Sequence, residues 1–387
     1  MSLSQYFTPL DAINFNAGTI ACTPLPVLAK IEEYQREFER NPPAGWVGVW
    51  GRLWKTQQRL AHFFHAQPQD MFLRLNVTAA CNDFILGVEL APGNLVTTNL
   101  EYGAVINIQR LRCQREGREL RTINLPIRPQ SPEEIVQVIE QSLKPDDRML
   151  LISHITTGTG LVMPVAAIAK MTRARGIVLV VDGAHGPGFT KLDFRQFNDV
   201  DFYGGNLHKW MMGPKGTGFG WVPQWRQSSV HNVEAGWTTF EAVAYFDKFE
   251  GGSDFARRML MAYTFNFAPF LALTDLIDFW ESVGEQKIHQ RRNELRDFLD
   301  REAQSALSLP VVHATHPSLR GPLLAYDLPA KFRDDTGYQI PQLASDSGVW
   351  ANLPTVGDKK RLRLSVGPWM EEAQVKEGIT RLARTLC

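Results

Sequence analysis

At 387 residues the chain is too long for one small domain and suits a large domain with a smaller companion. Its apolar fraction of 44% is that of a globular protein with a sizeable core. Lysine plus arginine equals aspartate plus glutamate at 41 each, which removes any electrostatic reason to expect nucleic acid or an anionic membrane as the main partner.

The N-terminal segment MSLSQYFTPLDAINF has no basic stretch followed by a sustained apolar run, so no secretory signal is expected. No uninterrupted apolar run reaches the roughly 18 residues of a membrane span, and no membrane association is expected. Cys22, Cys81, Cys113 and Cys387 form no CxxC pair and read as reduced thiols of a cytoplasmic protein, with no metal site. Trp46, Trp50 and Trp54 recur at fourfold spacing, the pattern of one packed helix face or, alternatively, of aromatics lining a substrate site.

Further along, FLRLN (72–76), LVTTNL (95–100), MLLISHI (149–155) and IVLVVDG (177–183) are apolar on both faces, as strands buried in a parallel sheet are. VAAIAKMTRARG (165–176) has helical spacing and ends in Gly176, so it completes a βαβ unit. From about residue 260, APFLALTDLIDFWESVG and GEQKIHQRRNELRDFLDREAQSAL predict long amphipathic helices. Strand-like LLAYDL (323–328) and RLRLSV (361–366) follow, then a closing helix from Glu371, which together predict a second α+β domain.

Residues 180–222, VVDGAHGPGFTKLDFRQFNDVDFYGGNLHKWMMGPKGTGFGWV, carry the chemistry. Asp182 ends an apolar strand, where open α/β sheets place ligand groups. Gly183, Ala184 and His185 follow it, and Lys209 comes after a second strand-like run, DFYGGN. Leu207, Trp210, Met211 and Met212 around Lys209 are apolar, and a lysine held among such neighbours is costly unless chemically employed. Burial favours the neutral amine, the form that attacks an aldehyde to make a Schiff base. A lysine able to form an imine and an acid able to pair with a pyridinium nitrogen are what pyridoxal phosphate requires.

These motifs resemble the class V aminotransferase superfamily of fold-type I pyridoxal-phosphate enzymes, and within it the isopenicillin N epimerase-like branch. The resemblance implies an α/β fold with a mostly parallel central sheet, helices on both its faces, and a smaller α+β C-terminal domain. It divides the chain into an N-terminal arm (1–20), a cofactor domain (21–258) and the C-terminal domain (259–387). It implies that Lys209 forms the Schiff base with pyridoxal 5′-phosphate and shuttles the Cα proton. Asp182 would hold the ring nitrogen, His185 would lie near the ring's phenolic oxygen, and His208 would contact the phosphate.

In RLNVTAACN (74–82), Thr78 and Ala79 would offer phosphate donors at a helix N-terminus. Tyr102 in LEYGA would stack on the ring, and His154 and Thr156 in ISHITTGTGLVMPV would point toward it. Ser253 in FEGGSDF would reach the phosphate of a neighbouring subunit, which implies a homodimer with shared active sites. Arg363 in RLRLSVG would grip the substrate α-carboxylate.

Asn206 stands where many relatives carry serine or threonine, and Pro368-Trp369 replaces a Tyr-Asn pair. No cysteine lies in SGVWANLPTVGDKK (347–360), where desulfurase relatives keep their persulfide-forming nucleophile, which argues against that mechanism. The expected reaction is Cα deprotonation of an amino acid or amino-acid conjugate, ending in epimerisation or carbon–sulfur lysis. Transamination is the alternative among enzymes, and a non-catalytic cofactor-binding or interaction protein the alternative from another class.

Overall fold

The computed structural model describes residues 2–240, 252–261 and 263–387. The chain opens with a short strand, β1 (Ile13–Asn14), and crosses to a helical hairpin, α1 (Leu25–Arg40) and α2 (Pro42–Phe63). Pro42 and Pro43 open α2, where a missing N–H costs nothing, and the Asn41 side chain accepts from the Ala44 N–H. Trp50 and Trp54 are buried on one face of α2, with Trp50 edge-on to Phe267 at 5.6 Å. This tryptophan face is core.

A βα alternation follows: β2 (Met71–Arg74), α3 (Val77–Gly87), β3 (Asn94–Thr98), α4 (Gly103–Glu116), β4 (Leu120–Ile123) and α5 (Pro132–Ser142). It continues through β5 (Asp147–Ser153), α6 (Val165–Ala174), β6 (Val178–Gly183), β7 (Phe202–Asn206) and β8 (Gly218–Trp221). Among the described residues these strands form one seven-stranded sheet in the order β2-β8-β7-β6-β5-β3-β4. β7, β6, β5, β3 and β4 run parallel, and every residue of β6 and β7 is buried, as their unbroken apolar and glycine runs require. Gly176 follows α6 at φ +67°, the left-handed turn that ends the helix and returns the chain to β6.

One strand differs from its sequence expectation. β2 pairs antiparallel with β8, which is itself antiparallel to β7. A short apolar run reveals burial on both faces but carries no information about direction.

Beyond β8 come α7 (Gln224–Gln227), α8 (Asp254–Arg258), α9 (Ala268–Leu271), α10 (Leu273–Val283) and α11 (Glu285–Leu307). The long helix expected from residue 268 is split at Ala272, and α9 and α10 pack on α1 and α2. The C-terminal part adds β9 (Leu324–Asp327), α12 (Ala330–Arg333), α13 (Ile340–Ser347), β10 (Val349–Trp350), β11 (Thr355–Val356), β12 (Lys359–Leu364) and α14 (Glu372–Leu386). β9, β12 and β11 form a small antiparallel sheet, and α14 packs along α11. β1 pairs parallel with β10, so the N-terminal segment is tied to the C-terminal part before it reaches the large sheet.

Candidate active site

The parallel strands deliver their C-terminal ends to one cleft, the edge where open α/β sheets bind ligands. A cavity of about 320 Å3 there is lined by Asp182 at the end of β6, by Asn206, His208 and Lys209 after β7, and by Arg363 of β12. Thr78, Tyr102 and His185 line it too. The large sheet and the small sheet thus face each other across it.

Lys209 sits in a tight turn. The Met212 N–H donates to the Lys209 carbonyl at 2.8 Å and the Gly213 N–H to the Leu207 carbonyl at 2.7 Å. Gly188, at φ +78°, lies flat against this turn; a Cβ there would come within 2.4 Å of the Met211 nitrogen. That contact presses the loop after β6 onto the lysine turn. It brings His185 Nε2 to 3.3 Å from Lys209 Nζ. His185 Nδ1 accepts from the Trp210 indole N–H at 3.1 Å.

The electrostatics suit an amine nucleophile. Burial lowers the Lys209 pKa to about 8, Arg363 pushes it the same way, and Asp182 partly opposes them. Asp182 is 2% exposed; burial raises its pKa, while the Ala184 N–H at 2.8 Å and Lys209 stabilise its charge. His185 is held well below its ordinary value, first by burial and then by Lys209, Arg363 and His208. Burial takes His208 to about 4, although its Nδ1–H donates to the Thr217 carbonyl at 3.3 Å.

Arg363 is 3% exposed and, among the described residues, forms no ion pair with a carboxylate. Its Nη1 donates to the Thr157 carbonyl at 2.8 Å and hydroxyl at 3.1 Å, and its Nη2 to Asn16 Oδ1 and Thr19 Oγ1, both at 2.9 Å. Asn352 donates to the same two side chains at 3.3 and 3.1 Å. A buried guanidinium held only by neutral oxygens is a ready seat for an anionic group.

Three sequence expectations are changed. Thr156 does not line the cavity: its hydroxyl turns to the Thr159 hydroxyl at 2.9 Å and accepts from the Leu161 N–H at 3.0 Å, and Thr157 faces the cavity instead. His154 is turned away as well, its Nδ1 2.9 Å from the Tyr203 hydroxyl inside the core. The Ala79 N–H is already engaged by Asn76 Oδ1 at 3.0 Å, because Asn76 caps α3, and only Thr78 of the pair faces the cavity. Asn206 accepts from the Val77 N–H at 2.8 Å and so ties β7 to this helix start.

Ser253 caps α8, accepting from the Ala256 N–H at 3.1 Å, and is not among the cavity-lining residues; positions 249–251 of its motif lie outside the described residues. Tyr102 stands 49% exposed at the cavity edge.

Sequence reasoning missed Asn16, Thr19, Thr157 and Asn352, which reach the site only through tertiary contact. Behind the cavity wall, the Glu101 carboxylate accepts from Ser153, which lines the cavity, at 2.5 Å and from Thr98 at 2.7 Å. Burial raises its pKa to about 7, with Asp182 adding to the rise.

A buried carboxylate, a lysine of lowered pKa, the start of α3 at Thr78 and a guanidinium with no carboxylate partner fit pyridoxal phosphate and a carboxylate-bearing substrate. The class so defined is an α/β protein with a buried lysine and carboxylate at the carboxyl edge of its sheet. The model of the class V aminotransferase family matches residues 12–322, and the chain belongs to that family.

The chain is 32% identical over 325 residues to an isopenicillin N epimerase from Streptomyces clavuligerus, covering 82% of this chain and 81% of the relative. It is 30% identical to one from Amycolatopsis lactamdurans, with 82% and 81% covered. Among solved structures, the cystine C-S lyase C-DES, in complex with cysteine persulfide, superposes with a TM-score of 0.85 at 20% identity, over 97% of this chain and 98% of that one.

Proposed function

We propose that this chain is a pyridoxal 5′-phosphate enzyme that removes the Cα proton of an amino acid or amino-acid conjugate, as an isopenicillin N epimerase-like isomerase or a carbon–sulfur lyase. The observation that carries the reading is the gathering of Lys209, Asp182, His185 and carboxylate-free Arg363 on one cavity. When bound, the cofactor supplies an electron sink for the pair left at Cα.

The chain's own residues supply the rest. Asp182 balances a protonated ring nitrogen in a buried setting, and the α3 N-terminus at Thr78, with His208, receives the phosphate. Arg363 grips the α-carboxylate and so orients the Cα–H bond. Lys209 would be the base that takes the Cα proton.

No cysteine lines the cavity among the described residues, and the thiol of Cys387 donates to the Leu307 carbonyl at 3.0 Å. A persulfide-forming cysteine therefore has no place in this reading, whereas epimerisation and β-elimination need none.

The reading extends to a cytoplasmic homodimer, with Ser253 of one subunit serving the phosphate of the other. The large exposed aromatics Trp237 and Phe240 support a covered surface. Incubation with amino acids and cysteine conjugates in deuterated water tests the proposal. Deuterium at Cα with inversion supports an epimerase, loss of the Cβ substituent a lyase, and a keto acid that keeps its Cβ substituent an aminotransferase. No exchange with any substrate, on a chain that carries cofactor, sinks the proposal.

A further inference from the structure

We infer that Trp210 is a positioning residue: its indole fixes the tautomer of His185 so that Nε2 always presents a hydrogen toward Lys209. An indole has one polar hydrogen and no acceptor in its plane. Its Nε1–H donates and never accepts, so His185 Nδ1, 3.1 Å away, has to be the bare nitrogen. In a neutral imidazole the single proton then resides on Nε2, the atom 3.3 Å from Lys209 Nζ and 3.4 Å from Thr157 Oγ1.

The surroundings close off the cationic alternative. A proton on Nδ1 would face the indole N–H head-on. The charged groups acting on His185 are Lys209, Arg363 and His208, all cations when charged, and the ring is 1% exposed. Thr157 Oγ1, which accepts from Arg363 Nη1, keeps a second lone pair that can accept from the Nε2–H. Trp210 itself cannot drift: its ring is buried beside Phe189, and its backbone lies against Gly188.

The consequence reaches the lysine. A fixed N–H aimed at Lys209 favours the neutral amine, which accepts, over the ammonium, whose hydrogens would oppose it. Two neighbours in sequence thus act as one device, with Trp210 reaching Lys209 through His185. What the fixed donor serves once cofactor binds rests on the function proposed above; the tautomer does not.

The test uses the full-length chain labelled with 15N in histidine and tryptophan, with and without cofactor. Long-range proton–nitrogen spectra, assigned with His185→Asn, are expected to give a pyridine-type Nδ1 and a pyrrole-type Nε2 at His185. A through-hydrogen-bond coupling between Trp210 Nε1 and His185 Nδ1 is expected as well.

In Trp210→Phe the Nδ1 signal should move toward protonated or averaged values, and Cα exchange should fall about two- to tenfold, the worth of one hydrogen bond. A wild-type His185 protonated on Nδ1, a missing coupling, or an Nδ1 signal unmoved in Trp210→Phe overturns the inference. The wild-type spectra decide the question even where the variant fails to fold. The expected tautomer in a chain that never exchanges Cα protons would sink the proposed function and leave this inference standing.

Discussion

Arg363 meets Thr157 twice through a single nitrogen, donating from Nη1 to the carbonyl at 2.8 Å and to the hydroxyl at 3.1 Å. Thr157 lies in the loop after β5 of the large sheet, while Arg363 lies on β12 of the small one, so this pair joins the two halves of the site. With Asn16 and Thr19 on Nη2, all four terminal N–H groups of the guanidinium point at neutral oxygens. On the proposed function, a substrate carboxylate would displace some of these, its charge making the stronger bond.

Replacement of Arg363 by lysine removes the fork that holds the loop and, on the proposed function, grips the substrate. The KM for an amino-acid substrate is expected to rise about ten- to a hundredfold, the loss of one charge-assisted hydrogen bond at about 1.5–3 kcal/mol. Cofactor colour should remain. Steady-state kinetics beside an absorbance spectrum checks this, and a colourless variant would assign Arg363 to the cofactor instead.

Lys209 should react with aldehydes in its neutral form, whose fraction grows as pH rises through about 8. The rate of imine formation between the cofactor-free chain and pyridoxal, which lacks the phosphate, is expected to climb to a plateau above that value. A plateau reached only near 10.5, the ordinary lysine value, would place the amine in water.

The same shift bears on stability. The folded chain binds fewer protons than the unfolded one between pH 8 and 10.5, so stability from this group rises with pH across that window. Lys209→Met should abolish the dependence and raise the melting temperature of the cofactor-free chain. It should also lower Cα exchange by at least roughly 10²–10⁴, the range of a positioned general base.

Asp182→Asn keeps the shape and deletes the buried charge. Colour should persist, since Lys209 is intact, while Cα exchange drops roughly 10²–10³-fold as the ring nitrogen loses its counter-charge. The cofactor-free variant should be as stable as the parent or more so, because burial disfavours the ionised carboxylate. Unchanged exchange in this variant would remove Asp182 from the chemistry.

Beneath the start of α3, Arg74 pairs with Asp83 in a buried ion pair that links β2 to α3. Arg74 also donates to the carbonyls of Leu73 and Met259 at 2.8 and 2.7 Å. Asp83→Ala leaves an unmatched buried cation and is expected to cost about 3–5 kcal/mol in urea denaturation. A cost under about 1 kcal/mol would mean the guanidinium escapes to solvent.

The sequence by itself determined what depends on neighbours along the chain. Unbroken apolar runs marked the buried strands, Asp182 stood at a strand end, and the apolar flanks of Lys209 disclosed a desolvated amine. It did not determine what depends on phase or on distant partners. Whether Thr156 or Thr157 faces the cavity was settled by the turn that pulls the Thr156 hydroxyl to Leu161, since one residue of slip reverses a side chain's direction. β2 showed its burial but not its direction, which only its partner β8 decides. Asn16 reaches Arg363 across 347 positions, and no local pattern encodes such a meeting. Short-range pattern reports the cost of burying a group; only packing decides which groups share the buried space.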